Sequence, residues 1–126
     1  MELLRAGRAL LISGRSVPAP HLWLVLTDPE PQTGRFVAVM AVTTRPHTDK
    51  TVVLMPGDHP FIRHESNIDY GTAKFMSLSR VTARIKVGTC HLEPDLPAGL
   101  LSRVRDGLLK SARTIHAIAD YCRPQF

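Results

Sequence analysis

Hydroxyls and a cation emerge together where an apolar run ends. Phe36–Val42 is followed directly by Thr43, Thr44, Arg45 and Pro46. A guanidinium beside hydroxyl groups is suited to holding a phosphate, because both aim hydrogens at negative oxygens. Upstream, a loop carrying Arg15 ends in His21, immediately before a second apolar run, Leu22–Leu26. Histidine changes charge near neutrality, so at the lip of a groove it can exchange protons with a ligand. A third group sits in PGDHPFIRHESNIDYGTAKF, where His59, Arg63 and His64 accompany Asp58 and Glu65. The two histidines are five positions apart with Pro60 between them and no cysteine nearby, a spacing that fits no standard zinc signature, so no metal is expected. Two uses stay open for this loop. His59, Arg63 or His64 contacts a substrate, or Asp58 or Glu65 bonds an imidazole and fixes the turn. Plainer readings stand beside the others: Thr43 and Thr44 as β-formers closing a strand, Arg45 as a solvated turn cation, and His21 as a surface residue.

The elements that must position these groups are mostly strands. The runs LWLVL and FVAVMAV flank TDPEPQTGR, whose prolines and glycine forbid continuation and supply a reversal, so residues 22–44 form a long hairpin. GRALLIS (7–13) and TVVLM (51–55) are further short strands, with GRSVPAP and TTRPHTDK as the loops beside them. Phe61 and Ile62 are expected to pin the next loop by entering the core. Residues 67–75 then resume a strand with Ile68, Tyr70 and Ala73 inward. Residues 77–87 alternate loosely, with Arg80, Arg84 and Lys86 outward, and read as a half-buried strand; Gly88 turns the chain and residues 89–92 make a last strand. From Leu96 to about Tyr121 the apolar spacing becomes three and four, which predicts one long helix capped by Asp95, with Pro97 in its first turn and a kink at Gly107. Trp23 and Tyr70 can stack on bases or serve the core, and His116 belongs to the helix surface. The expected architecture is mainly β: a single domain, residues 1–126 with its core at about 7–120, built as a small closed or half-closed barrel of five to seven strands under a helical cover.

Composition narrows the function classes without choosing one. The chain has 126 residues, 44% hydrophobic, with mean hydropathy −0.03. No apolar run reaches the roughly 18 residues that span a bilayer, so no membrane partner is expected. MELLRAGRALLISG carries an acid at position 2 and arginines among its apolar residues, which makes it a poor secretory signal and a cytoplasmic location the expectation. Cys90 and Cys122 lie far apart and read as reduced thiols. A net charge of +5 and a pI near 9.8 favour a polyanionic partner, and the basic residues of 80–86 and 103–113 would widen such a footprint or simply be solvated.

The order of pieces, with VLTDP, VTTR, TVVL, KFMSLSRV and IKVGTCHLEP followed by a helix, resembles the MazF/PemK family of toxin endoribonucleases over roughly residues 7–112. The resemblance implies an SH3-like barrel with a long C-terminal helix, metal-independent cleavage of single-stranded RNA with no cofactor, a homodimer, and silencing by a small acidic antitoxin protein. It implies His21, Thr43 and Arg45 as catalytic residues, and Thr44, Lys74, His59, Arg63 and His64 as substrate-binding ones. His21 stands where the family usually has arginine, and Ala73 is nearest to the place of its usual acid. The segment GDHPFIRHESNIDY is longer than the family's loop. These departures leave a second function open, a barrel without catalysis that binds RNA or protein. A basic nucleic-acid adaptor using the SH3-like surface is a third.

Overall fold

The computed structural model describes residues 4–14 and 19–126; residues 15–18 of the expected loop GRSVPAP, Arg15 among them, lie outside these. Six strands are present among the described residues: β1 (Ala9–Ile12), β2 (His21–Val25), β3 (Arg35–Thr43), β4 (Val53–Leu54), β5 (Ser66–Ser77) and β6 (Cys90–Glu93). They form one antiparallel sheet in the order β4-β5-β3-β2-β1-β6. The hairpin expected at residues 22–44 is β2 and β3, with Leu22 opposite Ala41 and Leu24 opposite Val39. Its turn holds Gly34 at φ +73°, a left-handed conformation that glycine adopts without a Cβ clash.

Strand alternation sorts the side chains into two cores. Leu22, Leu24, Val37, Val39, Ala41, Ile68 and Tyr70 enter the larger one, inside the curl of the sheet. Leu10, Ile12, Val25, Phe36 and Ala38 enter a smaller one on the outer face. The outer core is closed by α1 (Leu78–Lys86), where the sequence suggests a strand. Leu78, Val81 and Ile85 recur at three and four residues and all pack there, so the helical period prevails over a loose alternation. Gly88, at φ +83°, ends α1 in a Schellman motif: its N–H reaches Ile85 O at 3.2 Å and Thr89 N–H reaches Arg84 O at 3.0 Å.

The single long helix expected at the C-terminus is instead two, α2 (Ala98–Lys110) and α3 (His116–Cys122), with a final 3₁₀ turn at Arg123–Gln125. The interruption falls at Ser111, which has extended backbone angles. Its hydroxyl bonds the Asp49 carboxylate and accepts Arg113 N–H, while the Thr114 hydroxyl donates to Leu108 O at 2.7 Å. These local side-chain bonds compete with the next helical turn and end it. Asp95 is no cap; it takes Arg5 at 2.7 Å and Arg8 at 3.3 Å, and Pro97 occupies the N-cap position. α2 runs unbroken through Gly107. This glycine lets the helix lie against β5, where the buried Tyr70 hydroxyl donates to Val104 O at 2.7 Å and a Cβ at position 107 would overlap that hydroxyl and Val52.

Helix α3 is held by polar groups as well as by the burial of Ile118 and Cys122. The Tyr121 hydroxyl donates to Glu30 at 2.7 Å, its ring meets Phe75 edge-on at 4.9 Å, and the Arg35 guanidinium lies over both rings. Hydrogen bonds from Thr33 and Tyr121, with Arg35 beside them, hold the Glu30 carboxyl down at about 2. Both cysteines are free and buried, and burial pushes the Cys122 thiol up to about 11.

Gly107→Ala should destabilise the fold by about 1–3 kcal/mol in chemical denaturation, the range for overpacking. At an open helical site the same change would stabilise it by about 1 kcal/mol. Because Glu30 ionises more easily folded than unfolded, its contribution is complete above about 4.5 and fades as pH falls towards about 2. The difference in melting temperature between wild type and Glu30→Gln should therefore shrink across that window, and a gap independent of pH would contradict the assignment.

Candidate functional site

β4 and β6 are the two outer strands of the sheet, and the segment after β4 crosses from one to the other. His59, 1% exposed, makes the crossing. Phe61 N–H donates to its Nδ1 at 3.0 Å, which leaves the proton on Nε2; that nitrogen donates to Pro94 O at 2.6 Å, just beyond β6. Asp58 accepts Met55 N–H at 2.8 Å and so shapes the turn before it. The ring is thus held by backbone groups and by neither Asp58 nor Glu65. Ile62 is buried in the inner core, whereas Phe61 remains 37% exposed.

Under this crossing, at the end of the sheet where β2 begins and β3 finishes, lies a cavity of about 1010 Å3. His21, Thr43, Arg45, Arg63 and His64 all line it. Pro20 and Leu22 flank His21 in its wall, and Phe61 and Ile62 form part of the opposite side. Arg45 is fixed through its backbone: its N–H donates to Thr48 Oγ1 at 3.2 Å, and that hydroxyl lies 2.6 Å from Asn67 Oδ1 inside the sheet. Its guanidinium is left exposed. Among the described residues neither Arg45 nor Arg63 forms an ion pair with a carboxylate.

His21 and Thr43 reach the cavity from different directions. His21 pairs with Ile12 and alternates with Trp23 and Val25 on the outer face. Thr43 alternates with Val39 and Ala41 of the inner core. The cavity therefore wraps around the end of the sheet instead of sitting on one face.

Three nominated residues stand apart from it. His59 is spent on tying the segment after β4 to the backbone beyond β6. Thr44 does not line the cavity; its N–H bonds Glu65 O at 3.0 Å and its buried hydroxyl has no partner among the described residues. Lys74 lies further along the outer face, its Nζ 4.9 Å from the centre of the Trp23 ring. Tyr70 is entirely core.

The cavity also contains residues that the sequence did not single out: Ser66, Asp69 and Glu93. Asp69 lies in the strand after the longest loop, four positions before Ala73, the residue that the resemblance puts nearest to the place of the usual acid. A bulge begins directly after Asp69 and contains Ala73. β3 residues Ala38 and Met40 face Lys74 and Asp69 respectively, leaving Tyr70–Ala73 as the bulge. Thr72 secures it by accepting Met40 N–H at 3.0 Å and donating to Asp69 O at 2.6 Å.

Imidazoles, guanidinia, a hydroxyl and carboxylates around one concavity can bind an oxyanion and move protons near it. Among the described residues no group of three or more His, Cys, Asp or Glu side chains is placed to hold a metal ion, and no helix is long and apolar enough to cross a membrane. His59→Ala should lower stability by about 1–3 kcal/mol, since it removes a buried ring together with its two hydrogen bonds, to Phe61 N–H and Pro94 O, each worth about 0.5–1.5 kcal/mol. His64→Ala should leave stability within about 0.5 kcal/mol of wild type, as for other surface substitutions. Parallel denaturation curves test the contrast.

No known protein family matches the chain, and no curated protein or solved structure is significantly similar to it.

Proposed function

We propose that this protein is a metal-independent endoribonuclease of the MazF/PemK toxin type, an SH3-like barrel that cleaves single-stranded RNA. One observation carries the reading: five residues nominated from the sequence, His21, Thr43, Arg45, Arg63 and His64, line a single cavity together with two carboxylates. In the reaction the RNA's own 2′-oxygen forms a bond to phosphorus and the bond from phosphorus to the 5′-oxygen breaks, leaving a cyclic phosphate. A base takes the 2′ proton and an acid returns one to the departing 5′-oxygen. His21 serves one of these proton transfers and Asp69, on the same outer face of the sheet, the other. Arg45 and Arg63 neutralise the phosphate, and the Thr43 hydroxyl donates to its oxygen. As a toxin of this type the protein would act in the cytoplasm as a homodimer and be silenced by a small acidic antitoxin.

A second reading has its own support. His21 and Thr43 leave opposite faces of the sheet, an arrangement that suits gripping a strand at the sheet end as well as it suits reaction at one atom. On that reading the cavity binds RNA or an acidic protein segment without cleaving anything.

Purified protein incubated with single-stranded RNA in the presence of a chelator separates the two. Cleavage should occur and should fall about 10²–10⁴-fold in His21→Ala and Asp69→Asn, the usual worth of a general acid or base. Arg45→Ala should reduce it about 10²–10³-fold, the scale for losing a donor to transition-state charge. Intact RNA after incubation with wild type, alongside measurable binding, would establish the binding module instead.

A further inference from the structure

A second concavity, about 490 Å3, opens on the outer face between β5 and α1. Its chemistry differs from that of the first. Arg35, Lys74, Arg80 and Arg84 line it, and no carboxylate does. Two of these cations are already engaged. Arg84 donates to Ser13 O and to Thr89 Oγ1, and Arg35 pairs with Glu30 at 2.8 Å. Lys74 and Arg80 are exposed, and among the described residues neither pairs with a carboxylate. Lacking any acid or imidazole, the groove has nothing with which to take up a proton near neutrality. It can attract and hold negative charge, and Arg84 and Arg35 add to the field that Lys74 and Arg80 present.

The two concavities adjoin. Ile12 lines the groove, His21 lines the cavity, and the two are direct cross-strand partners whose side chains share the outer face. Asp69 of the cavity and Lys74 of the groove also share that face, because the bulge between them restores the alternation. A polyanion seated at the sheet end by Arg45 and Arg63 can therefore continue over β1 and β2 into the groove while staying on the outer face. Single-stranded RNA has the regularly spaced phosphates for such a path.

We infer that this groove is a second RNA-binding site, in which Lys74 and Arg80 hold backbone phosphates of a strand that extends beyond the cavity. The inference rests on the RNA reading of the cavity and gives that reading a longer footprint. The groove contributes affinity and tolerates any base, since its contacts go to phosphates.

Binding of poly(U) by the full chain, measured by fluorescence anisotropy across a salt series, tests it. Lys74→Gln/Arg80→Gln should bind about tenfold or more weakly at low salt. The slope of log affinity against log salt should become shallower by about 1.4, from roughly 0.7 per lost phosphate contact on a single strand. Both side chains are exposed, and an unchanged melting temperature establishes that the fold is intact. If the double variant matches wild type in affinity and slope, the groove inference is overturned while the cavity reading stands, even where polyglutamate binding is lost and an acidic protein becomes the groove's partner. If the groove variant abolishes binding but Arg45→Ala/Arg63→Ala leaves it untouched, the strand lies in the groove alone and it is the cavity reading that fails. No binding of poly(U) by wild type overturns both.

Discussion

A buried imidazole with both nitrogens occupied joins the two outer strands of this sheet. Through His59 the segment after β4 is anchored to the backbone beyond β6, and the sheet is held curled although those strands make no ladder with each other. The contact has little freedom. One nitrogen must accept and the other must donate, so a single tautomer satisfies it. Everything on the crossing segment inherits that constraint. Ile62 is directed into the core, and Phe61, Arg63 and His64 are directed to the cavity.

Opposite this closure, the C-terminal helices seal the inner core by close approach. Tyr70 and Gly107 form one contact, a hydroxyl reaching the α2 backbone where no side chain intervenes. Asp49 and Ser111 form another, on the line where the helix stops. Burial alone would raise the Asp49 carboxyl, but bonds from Ser111 and Thr51, with Arg113 nearby, outweigh it and keep the group below its usual range. The polar network thus works where apolar packing gives out, at the breaks between elements.

Much of the fold is legible in the chain because short apolar runs bounded by Pro and Gly have few alternatives to being strands. The hairpin and the turn at Gly88 follow from local chemistry of this kind. Residues 78–86 are less legible. Their apolar positions satisfy both a loose alternation and a helical stripe, and only the outer core, assembled from distant strands, decides between them. The end of α2 at Ser111 likewise depends on Asp49, far away in sequence. Of the cavity, the exit at Thr43–Arg45 and the lip at His21 are visible as polar groups leaving apolar runs. Asp69, Ser66 and Glu93 are not, since the curl of the sheet and a bulge bring them there, and neither has a local signature. Lys74 and His59 look like site residues by type, but the bulge carries one along the outer face and the closure consumes the other.

The bulge at Tyr70–Ala73 has a further meaning for how the chain can vary. Ile68 and Tyr70 before or within it and Ala73 and Phe75 at its far side all face the inner core, which requires an odd step somewhere in the strand. A one-residue slip in the pairing beyond the bulge would exchange inside for outside along the rest of β5, sending Lys74 into the core and Phe75 to solvent. Parity, more than the identity of any single side chain, keeps the acid at the sheet end and the cations beside α1 on a common surface.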